Sequence, residues 1–527
     1  MTSVNTDVST GGGKGNPAFE MNENIEESNL EPEEPLREAK VVEMQFHRFL
    51  SPNRLCTFSD AVFTIIVTIM IVPLSSSVDD YDPDVKVWQS FEDDVYNFII
   101  YGITFLIVIK IWEEHAIIFS TMRNIGDTVI VINVIMLLIV SLVPFFSTLL
   151  GEFPMEPLAI VLQGSCFLII VILEALILVV AFSRPKMIES EFLTSTEKPT
   201  IQVRYCIMFT LQAACAILAI SVATASPETS WAFLVLMLFC GLLCDIIIAI
   251  CSCFRRPNGF DHAYQSCISY LVTKRIREHL PKERVHNFSD GVFAIVATLI
   301  ILDVTTSVVP SSESLTADLR TTLKGDSELL LSYAATYITI GMIWYIHYTI
   351  FNHLVVSVSR GMNIFNKLTL LCVGMYPFNF KLVSLYRHST FGRNENVAVQ
   401  ISCALLFLST VSLLCTWGVA HVNGCARKLE QSQQFFFIRT IIILSIYPVV
   451  SLITFLCGFQ RGIFSAVIFE IIQICLPVVF LIIRFIIDRY HKHKNHRTMN
   501  VASDDVKTDF SNHKDSSSKL EPEMNKV

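Results

Sequence analysis

Arg54-Leu-Cys-Thr-Phe58-Ser59-Asp60-Ala-Val-Phe-Thr-Ile65-Ile-Val-Thr68-Ile-Met-Ile-Val72 and Arg284-Val-His-Asn-Phe288-Ser289-Asp290-Gly-Val-Phe-Ala-Ile295-Val-Ala-Thr298-Leu-Ile-Ile-Leu302 are two copies of one pattern. Each sets Arg-x3-Phe-Ser-Asp at the head of a run of apolar residues. Two more patterns follow each copy in the same order. Trp112-x2-His115 is matched by Trp344-x2-His347, and Asn133-x10-Pro144-Phe145 by Asn366-x10-Pro377-Phe378. The offsets are 230, 232 and 233 residues, so the spacing drifts by only a few positions. A short motif means little alone; three in register mark an internal duplication.

The chain around this duplication is built for a bilayer. Of 527 residues, 52% are hydrophobic and only 17% charged, against about 25% charged in soluble domains. A helix needs about 20 apolar residues to cross a membrane. Twelve segments qualify: 55–74, 96–118, 128–149, 158–182, 203–224, 231–253, 287–305, 329–353, 364–386, 397–421, 435–457 and 463–486. The expected fold class is therefore all-α, a polytopic membrane protein of two six-helix repeats. Six is even, so both repeats enter in the same sense, as parallel repeats do. The expected divisions are a disordered tail over 1–52, repeats over 53–254 and 284–488, a linker over 255–283 and a second disordered tail over 489–527. The first fifty residues are polar and acidic and lack the apolar core of a signal peptide, so the first membrane helix is expected to act as the insertion signal. Most of the fifteen cysteines lie inside apolar segments, and no CxxC pair occurs, so they read as small packing residues rather than a disulfide or zinc framework.

Lys and Arg concentrate on cytosolic loops. Arg37, Lys40, Arg48 and Arg54 precede the first segment, and Arg255, Arg256, Lys274, Arg275, Arg277, Lys282 and Arg284 lie between the sixth and seventh. The loop after the first segment instead holds Asp79, Asp80, Asp82, Asp84, Glu92, Asp93 and Asp94 against Lys86. Both termini are expected in the cytosol. Lys381, Arg387 and Arg393 fall on the outer side and run against this pattern.

Ser and Asp can cap a helix start, but only 14 residues follow Asp60 before the end of the Pro73-Leu74 pair. A helix that spans must begin earlier, which places Asp60 inside the membrane, where a carboxylate needs a partner. Arg54, Ser59, Asp60, Trp112 and His115, with Phe58, read as one polar network; Arg284, Phe288, Ser289, Asp290, Trp344 and His347 form its repeat. Its expected role is to hold the first helix of each repeat rather than to do chemistry. Further along that helix Ile65, Thr68 and Val72 share one face, and Ile295, Thr298 and Leu302 share the equivalent one. The stripe Val62, Ile66, Ile69 is equally regular, so periodicity alone does not choose between them. Glu174, Asp245, Asp303 and Glu470 are further charges within apolar segments.

No TVGYG-type filter is present, and no nucleotide, hydrolase or metalloprotease motif, so the chain does not read as an enzyme. Nothing points to nucleic acid or to a cofactor. The doubled Arg-x3-Phe-Ser-Asp, the Trp-x2-His and the Asn…Pro-Phe pattern resemble the family of endosomal and lysosomal potassium channels called transmembrane protein 175, in its animal two-repeat form. The resemblance covers nearly all twelve segments. It implies a homodimer in lipid whose four first-in-repeat helices ring one pathway for potassium ions and protons. By position it makes Ile65 and Ile295 a hydrophobic constriction. Thr68, Val72, Thr298 and Leu302 line the rest, and Asp303 becomes a candidate for response to luminal pH. It implies endosomal and lysosomal membranes, control of organelle potential and luminal pH, and leaves any cytosolic regulatory protein unidentified. The main rival is a proton-coupled secondary transporter, whose sites lie near the midplane, whereas the strongest signals here lie at the cytosolic helix ends. A non-conducting scaffold would leave the duplicated network idle.

Overall fold

In a computed structural model the described residues are 51–189, 198–254, 279–308, 327–387, 389, 393–427, 434–459 and 465–490. The expected tails and most of the expected linker lie outside them. Twelve long helices follow one another: α1 Pro52–Asp80, α2 Val95–Ser120, α3 Asp127–Glu152, α4 Pro157–Ser183, α5 Lys198–Val222, α6 Pro227–Ile248, α7 Lys282–Val308, α8 Ser327–Leu354, α9 Arg360–Tyr386, α10 Asn394–Val422, α11 Gln434–Cys457 and α12 Ala466–Tyr490. Among the described residues eleven are long and apolar enough to cross a membrane by that measure; α11 contributes its apolar part over Leu444–Cys457. The chain is an all-α polytopic membrane protein.

Local sequence accounts for the interruptions. Helix α1 loosens after Ile69 because Pro73 cannot donate to the carbonyl four residues back. Pro144 divides α3 after Ser141, and Pro377 divides α9 after Gly374, so the duplicated proline bends the third helix of each repeat at the same place. The true N-cap of α1 is Ser51, whose hydroxyl accepts from the Asn53 N–H. Ser59 and Asp60 therefore lie two turns inside the helix and do not cap it.

In the first repeat α1 packs on α2 and α3, α3 on α4, and α4 on α5; in the second α7 packs on α8 and α9, and α9 on α10. The main seam between repeats is α1 against α7. Gly291 makes that seam close: a β-carbon there would lie 2.8 Å from Cγ2 of Thr64. Short backbone ties repeat as well. Met122 bridges to Ile188 after α4, and Val355 to Ala426 after α10. Two-residue strands, β1 His279–Leu280 and β2 Val358–Ser359, pair antiparallel and fasten the start of α7 to the α8–α9 turn.

The end of the bundle opposite the motifs is acidic and tied by ion pairs. Asp94 accepts from Ser77 Oγ at 2.6 Å, Tyr81 Oη at 2.5 Å and Asn97 Nδ2 at 2.8 Å, which folds the acidic loop back onto α2. Burial and the Asp94 carboxylate hold the Tyr81 phenol above its usual range. Lys381 reaches Asp79 at 2.7 Å and Asp303 at 3.7 Å, joining α9 to the far ends of α1 and α7. Buried Arg387 pairs with Glu470 of α12, donates to Ser332 of α8 and lies 3.8 Å from Glu328. Two of the three cations that ran against the charge pattern are thus partnered by acids and are not free loop charges.

The Arg387–Glu470 pair gives the first prediction. Arg387→Met leaves a buried carboxylate without its cation and should destabilise the protein by about 3–5 kcal/mol. Adding Glu470→Met should recover most of that loss. Thermal unfolding in detergent measures both; a double variant as unstable as the single one refutes the account.

Candidate functional site

At the motif end the two repeats meet in a buried polar chain. Asp60 is 2% exposed. Its Oδ1 accepts from Nε1 of Trp112 at 2.7 Å, and both of its oxygens accept from Nε of Arg284 at 3.0 Å. A terminal guanidinium nitrogen of Arg284 also bonds Asp60 and lies 3.2 Å from Nδ1 of His115. Since guanidinium can only donate, Nδ1 of His115 accepts. Its Nε2 then carries the proton and donates to Oδ1 of Asn133 at 2.8 Å. The Asn133 amide donates to Ser59 Oγ at 3.0 Å, and Ser59 donates to the Leu55 carbonyl at 2.9 Å. Each of these bonds has one consistent donor and one acceptor, while Nη1 of Arg284 has no hydrogen-bond partner among the described residues. The ring of Phe288 stacks on Trp112 with centroids 4.2 Å apart.

The second repeat carries the same chain without its arginine. Trp344 Nε1 donates to Asp290 at 2.8 Å, His347 Nε2 bonds Asn366 at 3.0 Å, and Asn366 donates to Ser289 Oγ at 3.1 Å. Arg54 is exposed and makes no ion pair among the described residues. Asp290 is half-buried, Phe58 is 54% exposed and Trp344 37% exposed. Thus Arg284, Phe288, Asp60 and Trp112 are engaged with one another across the repeats, while Arg54, Phe58, Asp290 and Trp344, their equivalents, stand open.

The same stagger runs up α1 and α7. Thr64 and Thr68 are buried against the seam, with the Thr68 hydroxyl donating to the Thr64 and Ile65 carbonyls at 2.9 Å; their equivalents Ala294 and Thr298 are exposed. Ile65 and Val72 are exposed, Ile295 is half-buried and Leu302 exposed. The isoleucine and the Val72/Leu302 levels are uncovered on both helices, and Ile69 with its half-buried equivalent Leu299 is uncovered between them.

Sequence reasoning missed several members. Asn133 and Asn366 were visible as a repeated residue, but their role bridging His to Ser needed the packing of the third helix on the first. A second polar layer went unnoticed. Glu113 accepts from Asn363 at 2.8 Å and Lys367 at 2.5 Å across the repeats, while Lys110 pairs with Glu114. These charges sit beside Trp112 within one turn, and that proximity was the available signal. Of the other intramembrane acids, Asp245 pairs with Arg204 at 3.0 Å and Asp303 with Lys381, whereas Glu174 has no hydrogen-bond partner among the described residues.

Comparison with known proteins follows this geometry. A family model described as endosomal/lysosomal potassium channel TMEM175 matches residues 54–144 and 284–377, the two stretches that hold the network and the α1 and α7 stripes. The chain is 30% identical over 450 residues to the endosomal/lysosomal proton channel TMEM175 of Danio rerio, covering 83% of this chain and 84% of that protein. It is 29% identical over 448 residues to the protein of that name in Homo sapiens, covering 82% and 86%. A potassium channel of Streptomyces collinus is 28% identical over 134 residues, 25% of this chain and 62% of that protein.

The network yields a graded prediction. Arg284→Met strands a buried carboxylate and should cost about 3–5 kcal/mol; Trp112→Phe removes one hydrogen bond and should cost about 1–3 kcal/mol. Thermal unfolding ranks them, and an Arg284 variant as stable as wild type would contradict the buried pair.

Proposed function

Because the chain belongs to the TMEM175 family of endosomal and lysosomal potassium channels, we propose that two copies of it form a potassium-selective, proton-permeable leak channel of those organelles. The observation that carries the assembly is the one-sided network. Arg284 and Phe288 reach Asp60 and Trp112 within one chain, and the equivalent donors and acceptors of the other repeat stand open. A second copy turned by half a revolution brings its Arg54 and Phe58 to Asp290 and Trp344 of the first, and receives the same in return. The exposed Ala294 and Thr298 are covered by the same step. Four helices, α1 and α7 from each copy, then ring one axis, with residues 53–254 and 284–488 as the repeats.

What is left uncovered on both helices faces that axis. Ile65 and Ile295 form a ring of four isoleucines, and Val72 with Leu302 forms a second apolar level. A narrow apolar ring gates by shedding water, and it selects by width, since no carbonyl cage is available. Thr68 and Thr298 lie at the seams between neighbouring helices. Each donates its hydroxyl to the isoleucine carbonyl of its own helix, which leaves the hydroxyl oxygen as the group either could offer a passing ion.

The family description supports potassium, and the vertebrate relatives named as proton channels support protons and the organelle. The motif end faces the cytosol with both termini. The acidic far end faces the lumen, where Asp303, tied to Lys381, is placed to respond to pH. Such a conductance would set organelle potential and luminal pH.

Two measurements test this. In bi-ionic recordings with potassium opposite sodium, wild type should reverse in favour of potassium, and Ile65→Asn and Ile295→Asn should pass more current with a reversal potential nearer zero. Saturating flux that needs a proton gradient, unchanged in both variants, would replace the channel with a proton-coupled transporter. For the assembly, Arg54→Asp should shift dimers to monomers in detergent by native mass measurement. Adding Asp290→Arg should restore dimers, and a swap that restores nothing counts against this interface.

A further inference from the structure

The first repeat holds a buried carboxyl that the pathway does not use. Glu174 lies on α4, nine residues from its Ser183 end, which places it about 13 Å inside the helix end at 1.5 Å per residue. It is 1% exposed, and both of its oxygens lack a hydrogen-bond partner among the described residues. Close by, Glu114 of α2 pairs with Lys110 and accepts from Nε2 of Gln212 on α5 at 3.0 Å. That bond uses the donor end of the Gln212 amide and leaves its Oε1 buried with no donor of its own.

The charges around this site close without Glu174. Lys110 is matched by Glu114, and Lys367 of α9 by Glu113, near which Arg360 of α9 also lies. Lys110 and Glu114 are the charged groups that act on Glu174, and they are already paired with each other. An ionised Glu174 would be an uncompensated charge within the membrane, which is costly. A protonated one is neutral and gains a hydrogen-bond donor of its own. Among the described residues no three His, Cys, Asp or Glu side chains gather to hold a metal ion.

The duplication serves as an internal control. At the offset of the Trp–His motif, Lys110, Glu113 and Glu114 correspond to Met342, Tyr345 and Ile346. Helix α10, the counterpart of α4, has no acidic residue after Glu395. The repeat fold therefore packs the same place without these charges.

We propose that Glu174 is a proton-binding site of the first repeat, one per chain, lying between α2, α4 and α5 and apart from the central pathway. Helix α2 links it to the motif network: Trp112 and His115 face α1, while Lys110 and Glu114 of the same turns face this site. Loss of the proton would set Glu174 against Glu114 for the single cation Lys110, and so load α2 at the level of Trp112. The proposal does not depend on which ion the channel passes.

Infrared difference spectroscopy of the full-length protein in nanodiscs tests it, wild type against Glu174→Gln at neutral pH. The bands lost in the variant should be a carboxylic-acid C=O stretch that shifts in heavy water, and the neutral isostere should unfold at the wild-type temperature. Loss of a carboxylate band pair instead, or a carboxylate band that moves when potassium is exchanged for sodium, shows an ionised or cation-holding group and overturns the proposal. A variant-free readout is dicyclohexylcarbodiimide, which reacts with protonated buried carboxyls. Mapped on wild type, it should label Glu174 and spare Glu113 and Glu114. No adduct at Glu174, or equal labelling of all three, overturns it as well.

Discussion

The bond between Arg284 and Asp60 is the constraint around which the motif end is arranged. A fully buried carboxylate two turns inside a membrane helix is costly without a cation, and for Asp60 the cation comes from the other repeat. This one contact brings α7 against α1, positions Phe288 on Trp112, and orients His115 by offering its Nδ1 a donor. The imidazole then has only one proton to give, and it gives it to Asn133, which holds Ser59. Helices α1, α2, α3 and α7 are thereby locked at one depth. Gly291 lets the seam close to contact, because any side chain there would meet Thr64.

A duplicated sequence in one chain cannot satisfy this arrangement alone. Arg284 reaches the carboxylate of the other repeat whereas Arg54 makes no ion pair among the described residues, so the chain closes one seam. Arg54, Phe58, Asp290 and Trp344 are the open half. Two levels follow the same logic: Thr64 and Thr68 are buried on α1 while their equivalents Ala294 and Thr298 are exposed on α7. The proposed twofold assembly completes all four seams with contacts of one kind and leaves the isoleucines and the Val72/Leu302 level among the residues still bare.

Departures from the repeat carry separate information. The two halves share the network but not the charges one turn away from it, and they do not share Glu174. At the far end, Lys381 and Arg387 belong to the second repeat only and neutralise acids from α1, α7 and α12. Conserving a backbone plan while varying the buried charges lets one fold hold both a common pathway and sites peculiar to one half.

Much was legible in the residues. Apolar length placed twelve helices, because a bilayer demands that length and local composition reports it. The motifs, being short and in register, marked the duplication, and the depth of Asp60 followed from counting residues to Pro73. The partner of Asp60 was not legible: Arg54 and Arg284 are equivalent in sequence, and only the packing of α7 on α1 selects the arginine more than two hundred positions away. Nor can periodicity choose between the stripe of Ile65 and that of Ile66, since both recur every three to four residues; Ile66 is buried and Ile65 exposed, but Ile69 is exposed and Thr68 buried as well. Glu174 and Glu470 look alike as isolated acids in the sequence, yet Glu470 meets an arginine and Glu174 has no hydrogen-bond partner among the described residues. Composition and spacing determine where a helix lies and which residues share its face, because those are local properties of the chain. Which face meets which neighbour depends on contacts between distant segments, and only the tertiary structure decides it.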